Sequence, residues 1–193
     1  MKIEKMLGIM EALSTNVFEG YNINSLAKLA GIDVATTYRM LKEMEKKNEV
    51  VGSRKGNSLF YRINLNNSVA LKYCELASIE KRKRFLLKNP EMIALASKAG
   101  KPSDVLLLFG SVARGEKKPR DIDVLLIYEG KPKAMEIETF GKNISPIFMG
   151  REEFVKKMRE RNEIIANMLK DGVLLRGEDA FWKIVRSGAG YEG

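Results

Sequence analysis

Two short pairs, Gly110-Ser111 and Asp121-Ile122-Asp123, hold the residues whose types and spacing could do chemistry. A glycine and a serine placed just after an apolar run let a tight turn aim backbone N–H groups at an anion. Asp121 and Asp123 lie two apart, so on a strand both side chains project to the same face. Two carboxylates held that close repel each other unless a cation sits between them. Oxygen-only ligands suit Mg²⁺, which takes one or two carboxylates together with phosphate oxygens and water. The chain has no histidine, which excludes imidazole catalysis and histidine metal sites and leaves carboxylates as ligands. An anion-binding turn beside a metal-binding pair points to phosphoryl or nucleotidyl transfer, where metal ions neutralise the triphosphate and hold attacking and leaving oxygens in line. The plainer reading of the aspartates is a pair of strand-entry acids, solvated or paired with Arg114 and Arg120.

The elements that must position these residues are legible around them. "DVLLLFG" (104–110) and "DIDVLLIY" (121–128) are continuous apolar runs, as expected for strands covered on both faces. Between them "SVARGEKKPR" reads as a short helical turn closed by Gly115. "NISPIFM" (143–149) reads as a later strand, and Glu152 and Glu153 as first-turn acids of the helix after it. "NMLKDGVLLRGEDAFWKIV" reads as helix, short strand, helix, with Trp182 packed in a core or interface.

The stretch "LFGSVARGEKKPRDIDVLLI" resembles the nucleotidyltransferase superfamily to which polymerase β belongs, most closely its minimal members. Strand, Gly-Ser, a short helix with Arg-Gly, and a strand with Asp-x-Asp all occur in order. The resemblance implies that Gly110 and Ser111 hold a nucleotide triphosphate, with ATP favoured. It implies that Asp121 and Asp123 are the catalytic, metal-holding carboxylates, and that Arg114 touches phosphate or braces the loop. Arg120 stands where the family usually has serine. Active members carry a third carboxylate on a later strand, and the aligned position here is Ser145. Glu136 and Glu138 are the nearest substitutes; they share a face on a strand and diverge on a helix. Minimal members are often antitoxins that modify a partner toxin, so a toxin-like protein partner is a further expectation.

The front of the chain has a different character. Ile3, Met6, Leu7, Met10 and Leu13 recur at helical spacing, and Ile23, Leu26, Ala27 and Ala30 form a second stripe. Gly31 supplies a turn, Asp33 an N-cap, and "VATTYRMLKEMEKKN" a third helix with Thr37, Leu41 and Met44 inward and Thr36, Arg39 and Lys42 outward. "VVGSRKGNSLFYRIN" then reads as two strands around a basic hairpin tipped by Gly56-Asn57. This order resembles a winged helix-turn-helix. The resemblance implies DNA as partner, with Thr36 and Arg39 toward bases and Arg54 and Lys55 toward phosphates. Protein contacts alone, or RNA in place of DNA, are the other readings of such a unit.

In the connecting stretch Val69, Tyr73, Leu76, Ile79 and Leu87 are expected to share one helical face. "EKRKR" (80–84) reads either as a solvated face or as more nucleic-acid footprint, and Asn89-Pro90 as a break between helices. Charge divides the same way. Residues 1–66 hold 10 basic and 7 acidic side chains, residues 67–100 hold 7 and 3, and the rest 17 and 15. Most of the net +9 thus lies in the first hundred residues, which suits a polyanion partner, although a Lys/Glu-rich surface of thermophile type gives the same count. One cysteine permits no internal disulfide and fits a reducing cytoplasm. No apolar run reaches the length of a membrane span, and the start "MKIEKMLGIMEAL" has no signal-peptide pattern.

The expected class is therefore α+β. A winged helix-turn-helix (1–66) precedes a helical connector (67–100) and a minimal nucleotidyltransferase-like domain (101–193) with a small mixed sheet flanked by helices. The expected function is a DNA-tethered, Mg²⁺-dependent nucleotidyltransferase. The alternative is a winged-helix transcription regulator, a homodimer on a palindromic site, whose nucleotidyltransferase-like domain is inactive and binds only nucleotide or a partner.

Overall fold

The computed structural model describes residues 2–98, 105–116, 121–129 and 143–190. The chain divides into two units, one up to Ala77 and one from Ser78 to Gly190.

The first unit opens with α1 (Lys2–Ser14), β1 (Tyr21–Asn22), α2 (Ile23–Ala30) and α3 (Val34–Lys46). Ile9, Met10 and Leu13 of α1 are buried, whereas Ile3 near its start is 54% exposed. Both following helices begin on a side-chain cap. Asn22 accepts from the Ser25 N–H at 2.9 Å, and Asp33 accepts from the Thr36 N–H at 2.8 Å. These bonds satisfy donors that a helix start otherwise leaves open. α2 stops at Gly31, whose N–H bonds back to the carbonyls of Ala27 and Lys28. α3 buries Thr37, Met40, Leu41 and Met44, and the Thr37 hydroxyl donates to the Asp33 carbonyl. β2 (Val50–Lys55) and β3 (Ser58–Ile63) form the hairpin around Gly56-Asn57, and β1 pairs with β3 to give a three-stranded sheet of order β1-β3-β2.

α4 (Ser68–Lys88) corrects the sequence reading of the connector. Its buried positions are Ala70, Cys74, Ala77 and Phe85, the first three each one place on from the expected stripe. Val69, Leu76, Ile79 and Leu87 are all exposed, Leu87 by 77%. Apolar residues occur all around this helix, and its small residues are the ones that permit close approach. The "EKRKR" run is also not uniform. Arg82 ion-pairs with Glu178 and donates to the Leu175 carbonyl at 2.9 Å, so this cation is spent inside its own unit.

α5 (Met92–Lys98) follows the Asn89-Pro90 break. The second unit's sheet runs β6 (Ile144–Gly150), β5 (Ile122–Tyr128), β4 (Val105–Phe109), β7 (Val173–Arg176). β4–β5 and β4–β7 are antiparallel and β5–β6 is parallel, which makes the sheet mixed. Val105–Leu108 and Val124–Ile127 are buried at every position, as continuous apolar runs require. Leu106, Leu108, Val124, Leu126, Val173 and Leu175 pack with Phe85, Met92 and Leu95. α7 (Arg151–Arg159), α8 (Glu163–Asp171) and α9 (Glu178–Gly188) complete the unit. Trp182 on α9 is 3% exposed, meets Phe181 edge-on at 5.6 Å, and donates its indole N–H to the Ser78 hydroxyl at 3.0 Å. Among the described residues no helix is long and apolar enough to cross a membrane.

Candidate functional site

β4 and β5 are joined by α6 (Gly110–Ala113), a single turn that directly follows Phe109. The register places Phe109 opposite Asp123, so the turn begins beside the aspartate. Gly110 has φ +73°, and a Cβ there would stand 2.2 Å from Asp123 Oδ2. Only glycine both adopts that backbone and leaves the carboxylate its space. No side chain caps α6, which leaves its first N–H groups to water or a ligand. Ser111, half-buried, is the second residue of this turn.

Asp123 is half-buried on β5, and Asp121 is exposed one residue before the strand. Burial, and then the negative charge of Asp121, push the Asp123 carboxyl above the usual carboxylate range, and Arg114 opposes that shift. Like charges and partial burial both disfavour the ionised form, which is the condition a bound cation relieves. The donors are all oxygen and the two acids sit together, a set that fits Mg²⁺. Asp121 and Asp123 would hold the ion, and open positions would remain for phosphate and water. Arg114 follows α6 and forks onto Glu116, with Nε to Oε1 at 2.8 Å. Its side chain is exposed, and its charge reaches Asp123 from outside the turn.

On the other side of β5, Asp123 pairs in register with Ser145 of β6. Ser145 is exposed, so the place beside Asp123 carries a hydroxyl where a third carboxylate was looked for. Among the described residues no group of three acidic or cysteine side chains forms a metal cluster. Glu136, Glu138 and Arg120 lie outside the described residues. Glu152 and Glu153 stand in the first turn of α7, where Glu153 pairs with Lys157 at 3.6 Å.

In the first unit, Thr36 and Arg39 are neighbours on α3, and Arg39 donates to the Thr36 hydroxyl at 3.2 Å. Arg54 and Lys55 are exposed on β2, and Lys55 ion-pairs with Glu19. Lys42 is drawn to Glu45 at 2.7 Å, a bond that raises its pKa together with one to Tyr61. The sequence reading passed over Val34, Ala35 and Tyr38, which wall a groove of about 600 Å³ with Leu59 of β3 and Asn24 of α2. Val34 and Tyr38 are each 47% exposed. The signal available was their i, i+4 spacing on the outward side of a helix whose inward set had already been assigned.

Residues 91–180, most of the second unit, match the family described as Polymerase beta, Nucleotidyltransferase. A solved structure of a candidate nucleotidyltransferase from Sulfolobus solfataricus is similar at 24% identity, over 50% of this chain and 84% of its own, with a TM-score of 0.29. Comparison with curated proteins gives no match.

Proposed function

We propose that the second unit transfers a nucleoside monophosphate from a nucleoside triphosphate to an acceptor, and that the first unit, a winged helix-turn-helix, holds the chain on DNA. The observation that carries this reading is the Asp123 carboxylate set against Gly110 with the charge of Asp121 beside it. The family match over 91–180 supports nucleotidyl transfer at the general level. Asp121 and Asp123 would hold Mg²⁺, which would supply neutralisation of phosphate charge. Gly110 and Ser111 present backbone N–H groups to the triphosphate, and Arg114 adds positive charge at its rim. The acceptor we favour is a protein partner of toxin type, with the first unit on the operator of the pair.

One observation favours a second reading, a regulator that binds nucleotide without transferring it. Ser145 offers a hydroxyl and no carboxylate to act as base where β6 runs beside Asp123. A general base typically contributes about 10²–10⁴-fold, so transfer without one would be slow.

Titration calorimetry of ATP, GTP, CTP and UTP, with and without Mg²⁺, separates the outcomes when followed by a label-transfer assay. The reading expects Mg²⁺-dependent binding that weakens on the order of a hundredfold or more in Asp121→Asn/Asp123→Asn. Binding without label transfer to any partner supports the regulator, and no binding sinks the nucleotide site. Loss of fold would not confound the test. The Asp123 pKa is raised in the folded state, so its protonated form stabilises the fold, and that stabilisation is lost as pH rises through the folded value. At neutral pH the charged residue is the costly one, and the double variant is expected to melt no lower than the parent.

A further inference from the structure

The groove between α3 and the hairpin is lined by residues other than the Thr36 and Arg39 pair. Its wall is mostly apolar: Val34, Ala35 and the Tyr38 ring on one side, Leu59 beside Ser58 on the other. Its end is polar in a specific way. Asn22 spends its side chain on the α2 cap, but Asn24 is exposed and its amide makes no hydrogen bond among the described residues. Arg39 and Arg54 are exposed on the flanking elements α3 and β2, and Arg54 has no ion-pair or hydrogen-bond partner among the described residues. An occupant that suits this groove combines negative charge outside, an amide-complementary edge and an apolar feature.

Duplex DNA at an A·T pair meets all three demands. In the major groove adenine offers N6–H and N7 to an asparagine amide, and thymine offers its 5-methyl to apolar side chains. Phosphates supply the negative counter-charge that Arg54 lacks among the described residues. We infer that this groove is an A·T-reading site, in which Asn24 bonds the adenine edge and Val34, Tyr38 and Leu59 pack on the thymine methyl. It rests on the DNA-binding reading and names what that reading leaves open, the base pair and the residues that choose it. Tyr38 is the specificity-determining residue, because its ring is the largest apolar surface exposed in the groove. RNA does not fit: its A-form major groove is closed to side chains, and uracil has no 5-methyl.

The test uses the full chain. A duplex pool with a randomised centre is selected for binding, and the recovered site is remade with uracil in place of thymine. The recovered site is expected to hold at least one A·T pair. Uracil is expected to weaken binding about fourfold per methyl contacted, the effect of removing one buried methyl group. Tyr38→Ala should narrow the difference between the two duplexes, with Val34 and Leu59 keeping the remainder, and Tyr38→Phe should keep the preference. Asn24→Ala should relax the choice of adenine at one position. Tyr38 is half-exposed, so Tyr38→Ala is expected to melt with the parent, and this is checked on the same samples. Equal binding of thymine and uracil duplexes by the parent overturns the inference and leaves DNA binding standing. A preference for single strands, or capture of no duplex at all, overturns both.

Discussion

The second unit's candidate site sits where strands begin and end, and the first unit's lies along the outward side of a helix. At the end of β5, Asp123 is fixed by ladders on both sides and by a glycine that leaves no room for a methyl. On α3, Arg39, Tyr38 and Val34 project from a backbone that would tolerate many replacements. Chemistry on a charged centre needs carboxylates held against backbone, whereas reading a long charged surface needs side chains that can adjust. The strand-end site therefore gains from rigidity, and that makes it the costlier one to alter.

The contrast sharpens most at Ser145. If the second unit lacks only a third carboxylate, Ser145→Asp adds one beside Asp123 and transfer should rise by about 10²–10⁴-fold in a label-transfer assay. No rise would mean that the third group comes from elsewhere in the chain, and the two-acid picture of the site would fail. Gly110→Ala is the next largest effect. A methyl 2.2 Å from Asp123 Oδ2, on a backbone at φ +73°, should cost about 3 kcal/mol through crowding and left-handed strain. Calorimetry should show the second unit's transition falling while the first unit's stays, and a shift of both would break the separation of the units. Arg54→Ala should change stability little and lower DNA affinity uniformly across sequences. The slope of log affinity against log salt should fall by about one.

The smallest effect lies at the start of α3. The bond from Thr36 holds the Asp33 carboxyl below its usual range. Its contribution is therefore present above the unfolded value of 3.8 and lost as pH falls through the lower folded value. Asp33→Asn keeps the cap and removes the charge, so acid unfolding of the first unit should lose that component and nothing else. An unchanged acid transition would assign it to other carboxylates.

The same contrast explains what the sequence made legible. The strand period is two, so Asp-Ile-Asp gave a face and the two apolar runs gave the strands, whereas the register that sets Phe109 opposite Asp123 came only with the structure. The helix period is not an integer, and α4 shows the consequence. With apolar residues all around it, a shift of one position separates Val69, Leu76 and Leu87 from the packed set Ala70, Cys74 and Ala77. α3 was legible inward because Thr37, Leu41 and Met44 are its only consistent buried set, joined by Met40. Its outward side carried no such constraint, and Tyr38 and Val34 went unremarked. β1 was missed because it is two residues long and owes its existence to pairing with β3, which no local pattern encodes. Arg82 looked like one more cation in a run, and only tertiary structure reveals its partner Glu178.

The buried thiol of Cys74 gives the molecule a clock. Burial pushes its pKa up, and the folded chain presents it to no solvent. Thiolate is the reactive form, so a thiol reagent waits for the helix around position 74 to open. With no other cysteine in the chain, every labelling event reports that one opening. When closing is fast relative to reaction, the labelling rate measures the free energy of the opening that exposes position 74 under native conditions, without denaturant and without any probe being engineered in.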